Sequence, residues 1–201
     1  KREPFHFIYA SSPDRGLVNI DGVPGILDLW PEILKRWPEA TLDIFYGWNG
    51  CARLSWTSPE WTKRYRAVRE RYEVLRWQKG VRERGRVNHA AIAREMMRAS
   101  VCAYSTGFFE TFGSNFLKAR AAGCVVVCPP LGGLSESAKC PETRYVKLGA
   151  PDDYRGDFLE GVREAIETPE SVRQGMARAA IEEGCIERVL PLWQKVLGLH
   201  A

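Results

Sequence analysis

Short apolar runs alternate along the chain with longer segments in which apolar residues recur at helical spacing. The runs predict β-strands, and the spaced segments predict helices. Six strands are predicted, over residues 5–10, 41–47, 84–87, 100–105, 124–128 and 145–148. The fifth, Cys-Val-Val-Val-Cys, contains no polar residue, which is typical of a strand covered on both faces.

The first helical pattern begins at Leu17, and glycine and proline at positions 22–25 predict a kink or break before it continues to Pro38. Residues 48–60 are rich in loop-forming types and predict a loop. Further helices are predicted over residues 61–75, 89–97 and 113–122, after Gly133, and over 151–199 as two or three helices with Gly175 and Gly184 as weak points.

Strands that alternate with helices predict an α/β fold: a doubly wound, Rossmann-like parallel sheet of about six strands, with helices on both faces and a helical C-terminal tail. Because neither a repeat nor a linker divides the sequence, we expect residues 1–201 to form a single domain with residues 151–201 as the tail. Such sheets bind ligands beyond the carboxyl ends of their strands. The loops predicted at that edge are residues 11–16, 47–50, 87–89, 105–113 and 129–136.

The composition is that of an ordinary globular protein, with 45% hydrophobic and 27% charged residues in 201, and a net charge of +4 identifies no partner. The sequence has neither an apolar run of the roughly 18 residues that a membrane span needs nor a signal peptide. Its first residue is not Met, so we expect a fragment of a longer protein or a processed chain. The six cysteines form no Cys-x-x-Cys pair, which argues against zinc and for free thiols in the cytoplasm.

A basic segment over residues 63–86 leaves two interpretations open. It could bind RNA or anionic lipid, or its cations could be the solvated face of a helix whose aromatic stripe packs into the core. Because the stripe has helical spacing, we favour the second interpretation and expect no nucleic-acid partner. Peripheral membrane contact stays open.

The loop after the first strand contains the first candidate ligand-binding residues. It has a single glycine, Gly16, at the predicted helix start, and lacks the Gly-x-Gly-x-x-Gly pattern of dinucleotide sites. Arg15, with the hydroxyls of Ser11 and Ser12, could instead hold a diphosphate without a metal. The alternative is that Arg15 pairs with a neighbouring acid such as Asp14.

Two later loops carry carboxylates at the same predicted edge. Glu110 precedes a helix predicted to start at Gly113 or Ser114, and a carboxylate there is suited to accept hydrogen bonds from hydroxyls. Gly132 and Gly133 would leave backbone N–H groups accessible before Glu136, which could alternatively complement a helix dipole. Together these residues indicate a ligand with both phosphate and polyol groups.

Five motifs in order carry a family resemblance: Tyr-Ala-Ser-Ser-Pro-Asp-Arg-Gly-Leu, Phe-Tyr-Gly-Trp, Gly-Arg-Val-Asn-His, Phe-Glu-Thr-Phe-Gly and Gly-Gly-Leu-Ser-Glu. Over residues 5–150 the chain resembles the C-terminal, nucleotide-sugar-binding half of a GT-B glycosyltransferase of the retaining group 1 type, family 4. The resemblance implies a UDP- or GDP-sugar donor, no required cofactor or metal, and an acceptor-binding N-terminal domain that is absent from this chain. That domain would take a glycan, lipid or protein acceptor.

The resemblance also assigns residues. Arg15 falls where the family places a basic residue that binds the diphosphate, and Gly16 would open a helix after it. Glu110 matches the carboxylate that binds donor-sugar hydroxyls. The remaining positions carried over are Thr111, Phe112 and Gly113 around sugar and phosphate, Val87, Asn88 and His89 around the base, and the loop residues Gly132, Gly133 and Glu136. For His89 a purely structural place near a helix start is the alternative, and His6, among apolar neighbours, is expected to be structural.

Lys118 departs from the family pattern, because the second glutamate of the motif, which would hold the ribose hydroxyls, is expected there. An ammonium donates hydrogen bonds and cannot accept them. Two hypotheses follow: a glycosyltransferase whose isolated half is inactive, with Arg15 and Glu110 as its reaction-centre residues, or a non-catalytic nucleotide-sugar-binding domain of a larger protein.

Overall fold

The computed structural model describes residues 1–19 and 22–198, so the end of the predicted tail at 199–201 lies outside the described residues. The strands are β1 (Glu3–Tyr9), β2 (Thr41–Phe45), β3 (Val81–Gly85), β4 (Ala99–Ala103), β5 (Val125–Cys128) and β6 (Arg144–Tyr145). The helices are α1 (Ile26–Arg36), α2 (Asn49–Ser55), α3 (Pro59–Leu75), α4 (His89–Arg98), α5 (Ser114–Ala121), α6 (Leu134–Ser137), α7 (Pro151–Glu167), α8 (Glu170–Gly184) and α9 (Ile186–Val196).

All six strands lie in one parallel sheet in the order β3-β2-β1-β4-β5-β6. Every residue of β4 and β5 is buried, as the uninterrupted apolar run of β5 predicts for a strand covered on both faces. The predicted α/β, doubly wound fold is therefore confirmed. The direction of strand addition reverses between β1 and β4, and a crevice at such a point is where open α/β sheets bind ligands.

The helices bury apolar faces against this sheet. On α1 the buried positions include Leu27, Trp30 and Ile33, and the Trp30 indole packs edge-on against Phe7 of β1. On α3, Val68 and Tyr72 are buried. Two residues of the predicted stripe, Val68 and Tyr72, thus belong to the core, and Leu75 packs against it. Trp61 and Tyr65 are half-buried outside the core.

The break predicted at residues 22–25 is confirmed, because α1 starts at Ile26, but the prediction that a helix begins at Leu17 was wrong. Leu17 and Val18 are buried without being helical, and their apolar character accounts for the misleading pattern. The carbonyls of Gly16 and Leu17 accept hydrogen bonds from the amides of Ile26 and Leu27, so this loop satisfies the first N–H groups of α1.

The predicted loop over residues 48–60 contains the short helix α2, which the loop-forming residue types concealed. Just before α2, the indole of Trp48 packs against Tyr72, with ring centroids 4.9 Å apart, and under the Arg69 guanidinium. Two strands are also shifted: β3 occupies residues 81–85 and β6 residues 144–145, each earlier than predicted. The tail forms three helices, with Gly184 at the end of α8 and Gly175 inside it.

Three further features concern the length of the helices, the cysteines and the exposed surface. None of the helices in the described part of the chain is long and apolar enough to cross a membrane. All six cysteines are free, and burial raises the pKa of both Cys124 and Cys128 to about 12. Along α9, apolar side chains are exposed to solvent, among them Ile186, Leu190, Trp193 and Val196.

Candidate functional site

Glu110 is the centre of a polar cluster beyond the carboxyl ends of β1 and β4. Its side chain is only 5% exposed and accepts hydrogen bonds from the Tyr104 hydroxyl at 2.5 Å and from Arg15 Nη1 at 3.1 Å. Burial, and then the Glu110 charge, raises the pKa of Tyr104, so its hydroxyl stays protonated and donates. The cluster presents a fixed carboxylate at the reversal point of the sheet.

Arg15 is the cationic member of this cluster. It ends a 3-10 helix, Pro13–Arg15, and its guanidinium lies over the Phe108 ring, 4.5 Å from the centroid. Burial lowers the pKa of Arg15, but Glu110, Tyr104 and Asp14 together outweigh burial, and the pKa is raised. The partner of Arg15 is thus Glu110, not Asp14 as the alternative had it.

Arg15 also retains unused hydrogen-bonding capacity. Its Nε atom is buried and has no hydrogen-bond partner among the described residues. Guanidinium has five N–H donors in a planar fork, so one carboxylate does not satisfy it. The side chain can hold Glu110 and still donate to a ligand oxygen.

The Asp14 carboxylate accepts its hydrogen bonds from a buried group of side chains that does not include Arg15. The Ser12 hydroxyl donates to its carboxylate at 2.5 Å and Cys51 Sγ at 3.0 Å, while the Ser11 hydroxyl lies 3.4 Å from the Tyr104 oxygen. Burial raises the pKa of Cys51 to about 11, so the thiol is protonated. Both serine hydroxyls therefore have partners inside the protein, and they support the loop that carries Arg15.

Gly16 does not open a helix, contrary to the sequence prediction, because α1 starts ten residues later. Its φ of +123° favours glycine, and a Cβ atom there would lie 2.1 Å from the Ser105 carbonyl oxygen. The residue is needed because the backbone of the first loop contacts the backbone that follows β4.

Gly132 and Gly133 have a similar task. Gly132 pairs with Glu110 in an isolated parallel bridge, and the Gly133 amide donates to the Glu110 carbonyl at 2.7 Å. A Cβ at Gly133 would lie 2.3 Å from the Thr111 carbonyl oxygen. The amide of Gly133 is thus occupied by the protein, which corrects the prediction that it is accessible, and the pair of glycines holds Glu110 in place.

The segment after Glu110 leads into α5. Gly113 has left-handed backbone with φ +74° and precedes the first helical residue, as predicted, and no side chain caps this helix start. Thr111 and Phe112 are exposed beside it. Glu136 is exposed on α6 and lines a separate cleft beside Arg120 and Glu183.

The remaining predicted residues meet at a second position on the same edge. Val87, His89 and Lys118 line a cleft of about 250 Å³, in which Lys118 Nζ lies 3.5 Å from His89 Nδ1. Asn88 is instead the N-cap of α4, where its side-chain oxygen accepts the Ala91 amide at 2.8 Å. The cleft opens beyond the ends of β1 and β2.

Sequence reasoning missed three residues that also line this cleft. Asn115 donates through its amide to the Ala10 carbonyl and fixes α5 to the end of β1, and Arg86 follows β3 directly. Tyr46 has a φ of +95°, which is rare for a residue other than glycine and marks local backbone strain. The position of Arg86 one residue before Val87 was a usable signal, whereas the conformation of Tyr46 has none in the sequence.

Comparisons with known proteins give no family model and no curated protein that matches this chain. Among solved structures, the UDP-glucose complex of HepE from Anabaena is similar with TM-score 0.65 and 13% identity, over 96% of this chain and 48% of that one. The GtfA/B complex gives TM-score 0.68 and 17% identity over 98% and 36%, and a UDP-forming trehalose-phosphate synthase from Burkholderia vietnamiensis gives 0.67 and 10% over 96% and 45%. This is the fold of a GT-B domain.

The GT-B domain described here spans less than half the length of each of these three proteins. At these identities the likeness establishes the fold. The resemblance read from the sequence motifs and the structural likeness therefore agree on architecture.

A buried ionic network lies deeper in the GT-B domain, between β1, β2 and α4. His6, Asp43 and Glu95 have potential ligand atoms within 4.8 Å of one another, and His6 Nε2 is 3.6 Å from Asp43 Oδ2. However, Arg82 and Arg84 pair with Asp43 at 2.6 and 3.2 Å. Because guanidinium groups already compensate the buried carboxylate, we interpret the network as structural.

Proposed function

We propose that this chain is the donor-binding domain, over its whole length, of a retaining glycosyltransferase of the family 4 type. The observation that carries the proposal is the buried Glu110 carboxylate, held by Tyr104 and Arg15 beside the uncapped start of α5 at the reversal point of the sheet. A carboxylate accepts hydrogen bonds from sugar hydroxyls, while guanidinium and helix N–H groups bind phosphate. The donor is a UDP- or GDP-sugar.

In this proposal each group has one task. Glu110 orients the sugar ring through its hydroxyls. Arg15, through donors not used by Glu110, and the first N–H groups of α5 stabilise the negative charge that develops on the departing nucleoside diphosphate. No metal is required, since these groups supply the positive charge. Val87 and His89 contact the nucleoside.

We further propose that transfer to a glycan, lipid or protein acceptor needs a second domain, and that the full protein acts in the cytoplasm. Among the similar structures, HepE is in complex with UDP-glucose, and the pneumococcal O-GlcNAc transferase GtfA is in complex with UDP and GlcNAc. The exposed apolar face of α9 supports a covering domain, because soluble proteins rarely leave such faces open. Free, buried thiols support a reducing compartment.

A thermal-shift panel of UDP, GDP, ADP and their glucose conjugates tests donor binding. A ligand at 100 times its Kd stabilises the folded state by about 2.7 kcal/mol, which for a chain of this size raises the Tm by about 5–10 °C. We expect one base to give this shift, Arg15→Met to abolish most of it, and the exposed Arg53→Met on α2 to leave it unchanged. No shift with any of these compounds would refute the proposal.

The second candidate function is nucleotide-sugar binding without transfer, and Lys118 in place of a carboxylate favours it. The chain alone is expected to bind nucleotide sugar and to transfer little or none. The two candidates separate when the domain is combined with its acceptor domain: release of nucleoside diphosphate with product formation supports the enzyme, and binding without turnover supports the non-catalytic domain.

A further inference from the structure

The cleft that contains Lys118 is basic, and we refer to it as the basic cleft. Arg86, His89 and Lys118 line it, and none of the described residues that line it is acidic. Its volume of about 250 Å³ is below the ~300–1,000 Å³ typical of sites for drug-sized ligands, so it fits one group of a nucleotide and not the whole molecule.

The cations of the basic cleft differ from their neighbours in having no carboxylate partner. Arg82 and Arg84, on β3, both pair with Asp43, whereas Arg86 and Lys118 form no ion pair within the described chain. The polar contact that Lys118 does make is with another basic group, His89 Nδ1 at 3.5 Å. In that contact the Lys118 ammonium donates and the ring nitrogen accepts, so the contact gives Lys118 no counter-charge.

The backbone adds to the positive potential. Helices α4 and α5 both start at the basic cleft, with His89 and Ser114 as their first residues. The amino end of a helix carries partial positive charge on its free N–H groups. Lys118 and Arg86 are donors only, so the group that they recognise must accept hydrogen bonds and carry negative charge.

We propose that the basic cleft is a phosphate subsite in which Lys118 and Arg86 bind the anion. The proposal rests on the proposed function, because a nucleotide at the adjoining Glu110 cluster would bring the phosphate to the cleft. Two sources share this chemistry: a phosphate on the ribose of the donor nucleotide, and the 5′-diphosphate itself. In either case, recognition at position 118 is of charge and not of ribose hydroxyls.

Isothermal titration of the 201-residue chain at low salt tests the proposal with three kinds of probe: UDP and GDP, the 3′,5′-bisphosphates of uridine and guanosine, and inorganic pyrophosphate. We expect affinity to fall at least tenfold in Lys118→Glu, or about 1.4 kcal/mol, and by less in Lys118→Gln. The control is Lys63→Glu on α3, an exposed lysine outside the cleft, whose affinity should stay within twofold of the original. Melting curves verify that each variant is folded.

The probes distinguish the two sources of phosphate. Tighter binding of a 3′,5′-bisphosphate than of the diphosphate, lost in Lys118→Glu, identifies a ribose phosphate. Equal sensitivity of diphosphate and pyrophosphate to Lys118→Glu identifies the 5′-diphosphate. Both results support the phosphate subsite.

Other results overturn it or the proposed function separately. If diphosphates and 3′,5′-bisphosphates both bind Lys118→Glu as tightly as the original chain, or more tightly, the phosphate subsite is overturned and nucleotide binding is left standing. Pyrophosphate binding that depends on Lys118, without binding of any nucleotide, retains the subsite and overturns the proposed function. If no probe binds, both are overturned.

Discussion

The pair formed by Arg15 and Glu110 makes a prediction that needs no ligand. Glu110→Gln removes a charge whose oxygens accept from Arg15 at 3.1 Å and Tyr104 at 2.5 Å, and it leaves the guanidinium without a counter-charge. Hydrogen bonds to charged groups contribute about 1.5–3 kcal/mol, and breaking a fully buried ion pair costs about 3–5 kcal/mol. The Arg15 side chain is 34% exposed, so water compensates part of this loss.

We therefore expect Glu110→Gln to lower the free energy of unfolding by about 2 kcal/mol and the Tm by about 4–8 °C. The assay is a double-mutant cycle by urea denaturation with Glu110→Gln, Arg15→Met and the double variant. The double variant should lose less than the sum of the single variants, with a coupling energy of about 1–2 kcal/mol. Additive losses, or single losses below about 0.5 kcal/mol, would refute the interaction that orients Glu110.

The remaining predictions concern the frame around the cluster and the buried network. Gly133→Ala should cost at least about 2 kcal/mol, because backbone has to move away from the new Cβ. The exposed Gly156 on α7, replaced by Ala, should instead gain about 0.5–1 kcal/mol; equal effects in urea denaturation would contradict the close contact at Gly133. Burial, opposed by Asp43 and assisted by Arg82, lowers the pKa of His6 from 6.5, so the folded state favours the neutral ring. The stability that this provides is present above pH 6.5 and is lost as pH falls through the lowered pKa. His6→Gln should remove that pH dependence, and identical pH profiles for both proteins would count against it.

The alternation of apolar runs and helical segments predicted the sheet correctly because apolar residues mark the positions that are buried. The run at residues 124–128 predicted a strand covered on both faces, and every residue of β5 is buried. The same signal failed at Leu17 and Val18, which are buried in a loop, since periodicity cannot distinguish a buried loop from a helix face.

The candidate site was predictable in its location and less so in its contacts. Parallel strands bring their carboxyl ends to one edge of a sheet. The sequence alone therefore predicts that Arg15 and Glu110 lie at the same edge. Their direct pairing, across 95 positions of sequence, depends on how two loops pack, and no local pattern encodes it. The prediction that Gly132 and Gly133 expose their N–H groups failed for the same reason. A glycine in the sequence does not show whether its backbone contacts a ligand or another part of the chain.

The contacts at Gly16 and Gly133 show that backbone, and not side chains, fixes the loops at the ligand-binding edge of the sheet. At both positions main chain meets main chain, against Ser105 and Thr111, so the placement of the loops hardly depends on the side chains that project from them. Side chains at this edge can therefore be exchanged through evolution without rebuilding the architecture. The same backbone frame can therefore carry different side chains at positions such as 118, and with them a different ligand preference.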